Sequence, residues 1–160
     1  MQNISIREAR IEDASLILRF ITELATYEKA QNQVKASIPD LEATLFSEDS
    51  TAHAIICLVN NEPVGFGVYF YNYSTWLGQN GLYLEDLYVS PEFRNVGAGK
   101  AIIKYLANLA IKNNCGRFEW CVLDWNQPAI DFYHSIGATA QDEWTIYRLS
   151  GQSLSSFAES

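Results

Sequence analysis

One stretch constrains the fold more than any other: NGLYLEDLYVSPEFRNVGAGKAIIKYLANLAIKN, residues 80–113. Asn80 to Val89 reads as a strand, and Pro91 ends it because proline has no N–H to give to a ladder. From Gly97 to about Asn113 the pattern is helical, with Ile102, Ile103, Leu106 and Ala110 on one stripe. A strand and a long amphipathic helix therefore meet at a turn that holds Gly97 and Gly99. A chain with that junction builds a sheet with helices packed on it.

The other segments extend a mixed α/β pattern. NISIREA alternates as a strand does. Glu12 to Lys29 is predicted helical from the spacing of Ile17, Phe20, Ile21, Leu24 and Tyr27 or Glu28, and Glu12 and Asp13 put negative charge at its start. Pro39 and Asp40 open a second short helix that runs through about Phe46. AHAIICLV and VGFGVYFYNY, joined by NNEP, read as a hairpin. Arg117 to Trp125, RFEWCVLDW, reads as a strand. QPAIDFYHSI reads as a short helix with Pro128 in its first turn and Gly137 after its end. TIYRL reads as a closing strand. No repeat or linker interrupts the pattern, so residues 1–160 read as one domain.

Such a domain needs a core, and 160 residues of which 48% are hydrophobic supply one. The net charge of -8 argues against a nucleic-acid partner, which needs clustered Lys and Arg, and suits a cationic small molecule. The longest aliphatic run, near AIICLV, is far too short to span a bilayer, and the first ten residues lack a signal peptide's apolar run. Cys57, Cys115 and Cys121 are odd in number and form no CxxC, so free thiols and a cytoplasmic chain are expected. His53 and His134 stand apart from any ligand spacing, so no metal is expected.

Three phosphate motifs compete for the glycine turn. A P-loop needs a glycine where Arg94 stands and a hydroxyl where Ala101 stands. A dinucleotide fingerprint needs a third glycine where Ile102 stands. RNVGAG fits the third, R-x-x-G-x-G. Without side chains, Gly97 and Gly99 let main-chain N–H groups approach an anion, the helix start adds unpaired donors, and Arg94 adds a charge-assisted contact. A pyrophosphate fits there without a metal ion.

RNVGAG, between LYLEDLYVSPEF and DWNQPAIDFYHSIGA, resembles the turn of the GNAT acetyltransferase superfamily that holds the pyrophosphate of acetyl-coenzyme A. IREA, ITELATYEK, YLEDLYV and DWNQPAIDFY resemble the spermidine/spermine acetyltransferase branch, over Ile4 to about Leu149. STW and LDWN are more like the branch members that act on thialysine, a lysine-like thioether amine. The resemblance implies a mixed, mostly antiparallel central sheet flanked by helices. It implies acetyl-coenzyme A as co-substrate and a small-molecule primary amine as acceptor. It also implies a homodimer paired through the late strands and the C-terminal segment, where Leu154 and Phe157 sit at helical spacing.

The same resemblance implies roles residue by residue. The pyrophosphate lies on Arg94, Asn95, Val96, Gly97, Ala98, Gly99 and Lys100, and the pantetheine arm runs along Leu87, Tyr88 and Val89 like an added strand. Asn126, Gln127, Pro128 and Ala129 lie near the thioester, and Asn126 also suits a helix N-cap. Tyr133 protonates the leaving thiolate, while its neighbour His134 points elsewhere around the helix. Glu85 assists amine deprotonation through water. Glu85 and Asp86 are adjacent in a strand, so only one faces the pocket unless a bulge intervenes. Tyr27, Glu28, Ser74, Thr75 and Trp76 match the substrate side, with Trp76 as a cation-π wall, and Glu119, Trp120 and Cys121 lie on the strand opposite.

An amine acceptor sets a physical tension. A lysine-like ammonium has a pKa of about 10.4 and must lose a proton before it attacks. A carboxylate 4 Å away contributes about 4 kcal/mol to holding that cation at an effective dielectric of 20, and makes the proton harder to remove. Activity that rises from neutral to alkaline pH follows. The polyamine enzymes carry an acid two residues before the tryptophan, where this chain has Ser74 and Thr75. That favours a lysine-like or diamine acceptor over spermine. A polyamine acetyltransferase and a non-catalytic coenzyme A-binding regulator are the alternatives.

Overall fold

The computed structural model describes residues 2–160 in two compact units, one ending at Cys121 and one running from Val122 to Ser160. In the first unit, strands β1 (Ile4–Glu8), β2 (Ala52–Val59), β3 (Glu62–Ser74), β4 (Gln79–Val89) and β5 (Arg117–Trp120) form one sheet in sequence order. The first four strands are antiparallel and β5 joins β4 in parallel. Parallel neighbours need a crossover, and helix α3 (Ala98–Lys112) supplies it. Helices α1 (Ala14–Tyr27) and α2 (Ile38–Leu45) lie between β1 and β2.

Each face of the sheet carries its own core. Ile17 and Phe20 of α1 pack with Ala54, Ile56, Phe66 and Tyr88, and Leu41 and Leu45 of α2 close over them. On the other face Leu82 and Leu84 are buried with Ile102 and Leu106 of α3, which packs on β4 and β1. Gly67 keeps that contact close, because a Cβ there would already touch Ile55 and Ile102.

Local chemistry sets the element ends. Asn60 and Asn61 both take the left-handed conformation, so NN alone is the two-residue turn of the β2–β3 hairpin, and Glu62 and Pro63 belong to β3. Ser37 and Asp40 form a reciprocal capping box that starts α2 at Ile38, one residue before Pro39. Helix α1 begins at Ala14 after a short 3-10 turn over Ile11–Asp13, with Asp13 paired to Arg7 of β1 at 2.7 Å.

Two expected strands change. The strand expected over Arg117–Trp125 stops at Trp120, because its ladder with β4 ends at the Leu84–Trp120 pair, one residue before β4 bulges. TIYRL forms no strand. Its Ile146 and Tyr147, which alternation would set on opposite faces, are 71% and 93% exposed, and no ladder includes the segment. Strand propensity without a neighbouring edge makes no strand. The second unit instead has α4 (Gln127–Ser135) and α5 (Gly151–Glu159). Asn126 caps α4 by accepting from the Ala129 N–H, and Gly137, at φ 90°, turns the chain at its end.

Candidate active site

The glycine turn follows Val89 directly. Pro91–Phe93 make a 3-10 turn, Asn95 and Gly97 take left-handed conformations at φ 66° and 94°, and α3 starts at Ala98. Ala101 N–H already bonds the Gly97 carbonyl, so the donors of the preceding residues are the orphans of a fifteen-residue helix. A Cβ built on Gly99 would meet nothing within 4 Å. That open space over a helix start, at a position without a side chain, fits a diphosphate held by main-chain N–H groups. Lys100 is exposed one residue further on.

Arg94, expected from the sequence to meet an anion, also has partners within the chain. Its Nε–H donates to the Val89 carbonyl at 3.0 Å, and its guanidinium lies 4.9 Å from the Tyr27 ring centre and 5.7 Å from that of Tyr88. The Tyr88 phenol, pushed up to about 12 by burial and by its hydrogen bond to Glu23, ties the same cluster to α1.

The acids are arranged by a bulge. Val68 pairs with Asp86 while its neighbour Tyr69 pairs with Leu84, so Glu85 is an extra residue on β4. Strict alternation would have set Asp86 on the α3 face beside Leu82 and Leu84. The extra residue turns Asp86 to the α1 face, with Val68 and Tyr88, and leaves Glu85 exposed. Burial pushes the Asp86 carboxyl up to about 6, with Glu85 and then Glu28 adding to the shift. Glu28, just past the end of α1, is also raised by burial. β5 pairs with β4 only as far as Leu84, so Leu87–Val89 have β3 on one side and no β5 on the other. The pantetheine expectation needs such an edge.

Sequence reasoning missed Tyr83. It packs against Phe70 across the ladder with the rings tilted 36° and 5.1 Å between their centres, its hydroxyl lies 3.0 Å from the Cys121 sulfur, and its phenol is raised by burial, by Cys121 and by the fields of Glu85 and Glu119. Its position two residues before Glu85 was the available signal, but a tyrosine in a strand reads as packing. Glu119 faces Tyr83 across the β4–β5 ladder and pairs with Arg117 at 2.9 Å. Trp120 is on the opposite face, paired with Leu84, so alternation separates it from Glu119 and Cys121.

Ser74, Thr75 and Trp76 are not brought to these acids within the first unit. They form the β3–β4 hairpin tip, and the six steps along the strand from Gln79 to Glu85 span about 20 Å. Ser74 is buried and its Oγ accepts the Leu77 N–H, while Trp76 is 87% exposed. In the second unit, Asn126, Gln127, Pro128 and Ala129 form the first turn of α4, and Tyr133 lies half-buried further along it, 5.7 Å from Phe132 between ring centres. Among the described residues no group of His, Cys, Asp and Glu is placed to hold a metal ion, and no helix is long and apolar enough to cross a membrane.

Taken together, the first unit has a glycine turn with open space at one end of a strand edge that β5 does not pair, and carboxylates beside the bulge in that strand. Comparisons with known proteins give the family. The acetyltransferase (GNAT) family profile matches residues 19–138. Thialysine N-epsilon-acetyltransferase of Sus scrofa is 41% identical over 169 aligned residues, covering 99% of each chain. A spermidine/spermine N(1)-acetyltransferase-like protein of Homo sapiens is 32% identical over 96% of this chain and 24% of its own greater length. An integron cassette protein from the mobile metagenome of V. cholerae superposes with a TM-score of 0.83 at 30% identity, over 98% of both chains. With most of its length inside the family profile and full-length relatives at this identity, the chain belongs to the GNAT acetyltransferase family.

Proposed function

We propose that this acetyltransferase acetylates the primary amine of a lysine-like or short diamine substrate, with thialysine as the representative acceptor. The observation that carries the reading is the bulge at Glu85, which turns Asp86 to the α1 face, where the fields of Glu85 and Glu28 both act on its carboxyl. The full-length similarity to thialysine N-epsilon-acetyltransferase supports the same acceptor class. Acetyl-coenzyme A supplies the activated acetyl group as a thioester.

The chain's own residues then do four things. Main-chain N–H groups from Gly97 to Lys100 hold the diphosphate, and the β4 edge aligns the pantetheine arm. Glu28 and Asp86 hold substrate ammonium charge. Glu85, exposed at the bulge, passes the proton of the reacting nitrogen to water. The Tyr133 phenol donates a proton to the departing sulfur as the carbon–sulfur bond breaks; Tyr133→Phe lowers kcat by about 100-fold or more. Deprotonating an ammonium among carboxylates makes kcat/KM climb from neutral to alkaline pH.

The three free thiols suit a reducing, cytosolic setting. A homodimer is part of the reading: Trp144, Ile146, Tyr147, Leu154 and Phe157 are all more than half exposed in the single chain. A sedimentation mass of one chain would contradict it. The acceptor class is tested by thiol release with thialysine, lysine, putrescine, spermidine and spermine. The reading expects thialysine or a short diamine to give the highest kcat/KM. A strong preference for spermine would replace it with a polyamine acetyltransferase.

A further inference from the structure

Arg117 opens β5 and shares a face of the sheet with Glu119, two residues on. Across the ladder that face carries Gly81 and Tyr83 of β4. The Tyr83 phenol feels the fields of both Glu85 and Glu119, so one row of side chains runs from the bulge to the start of β5. At Gly81 the row is kept low. A Cβ there would run into Asn72 Oδ1 and crowd the stem of Arg117, so the glycine lets the arginine lie over β4. Two acceptors then orient its guanidinium. Nε–H donates to Glu119 at 2.9 Å, and Nη2 donates to the Tyr73 carbonyl at 3.1 Å. Nη1 is left without a partner among the described residues, and the side chain is 40% exposed. A fixed guanidinium with unspent donors at an open edge is built to take a carboxylate.

We propose that Arg117 determines acceptor specificity: it receives the carboxylate of a lysine-like acceptor whose side-chain amine reacts beside Glu85. This rests on the acetyl-transfer reading above and deepens it, by choosing the amino acid over the plain diamine. Lengths agree. Four strand steps, about 13 Å, separate Gly81 from Glu85. An extended lysine-like chain measures about 7 Å from its reacting nitrogen to its carboxyl carbon. It spans the row once the side chains at both ends reach inward. The carboxylates Glu28, Glu85 and Asp86 attract any amine and so cannot tell one from another. A cation at the far end can. A longer polyamine laid along the same row would bring another ammonium against Arg117, and like charges repel.

The test measures kcat/KM of wild type, Arg117→Gln and Arg117→Lys with thialysine, its carboxamide and its decarboxylated diamine. The three acceptors share one chain and differ at the carboxyl position. Wild type should prefer thialysine to the other two by about tenfold or more, the effect of one charge-assisted contact. Arg117→Gln should bring that preference to within about threefold of unity, with the loss carried mainly by KM. Arg117→Lys, which keeps the charge without the fork, should retain part of it. A merely structural arginine would lower all three acceptors together and leave the preference where it was. That outcome overturns the inference and leaves the acetyl-transfer reading standing. Equal use of thialysine and its carboxamide by wild type also overturns it, and needs no variant to fold. Wild type that acetylates none of the three overturns both.

Discussion

The two halves of β4 are built for different purposes. From Gly81 to Leu84 the strand is paired on both edges, by β3 and β5, and its inward side chains Leu82 and Leu84 are 0% and 3% exposed. Beyond Glu85 it is paired with β3 alone, carries a half-buried carboxyl raised to about 6, and ends on a turn with two left-handed residues. One extra residue separates the halves. The first half has the pairing and burial that stabilise a strand. The second carries an acid whose burial opposes its ionisation and an edge that β5 does not pair, as the proposed ligand site needs.

That contrast can be broken by substitution. Leu82→Ala in the first half should cost about 2–5 kcal/mol in urea unfolding, by lost burial plus a cavity, and change kcat/KM little per folded molecule. An undiminished midpoint would show that the paired half is not where stability lies. Asp86→Asn should do the reverse. Because burial raises Asp86 from 3.8 to about 6, its ionisation opposes folding: the stability present below about pH 4 declines as pH rises through about 6. Removing the charge should therefore stabilise the fold at pH 7 by up to about 3 kcal/mol, leave it nearly unchanged at pH 4, and weaken amine binding. A loss of stability at pH 7 would mean that the carboxylate is structurally required.

Smaller effects sharpen the division within the turn itself. Gly97→Ala should cost about 1–2 kcal/mol, since an L residue is disfavoured at φ 94°. Gly99→Ala should instead gain about 0.5–1 kcal/mol by strengthening the first turn of α3, yet raise the coenzyme A Kd, because the new methyl occupies the space above the N–H groups. Thermal melts and calorimetry on the same two variants check both signs.

Much of this was legible in the sequence. The periodicity of Ile102, Ile103, Leu106 and Ala110 gave α3 to within a residue at either end, and RNVGAG marked the turn because glycine is the residue that a left-handed or crowded backbone requires. Pairing was harder to read. Which edge of β4 receives β5, and where that ladder stops, depends on contacts between distant segments, so the strand over Arg117–Trp125 was drawn too long. The bulge was posed by the adjacency of Glu85 and Asp86 but not decided by it, because an extra residue shows only against a partner strand. TIYRL has the composition of a strand and lacks an edge to join. The rings beside Arg94 were not legible either, because Tyr27 and Tyr88 approach it from α1 and β4.

The central claim is that main-chain donors around Gly97 and Gly99 receive the coenzyme's diphosphate. Titrating coenzyme A into wild type and into Gly99→Val tests it most directly. The account predicts saturable heat for the wild type and none for the variant, with the variant's melting temperature within a few degrees of wild type's. Equal binding by the two would place the coenzyme elsewhere and contradict the account.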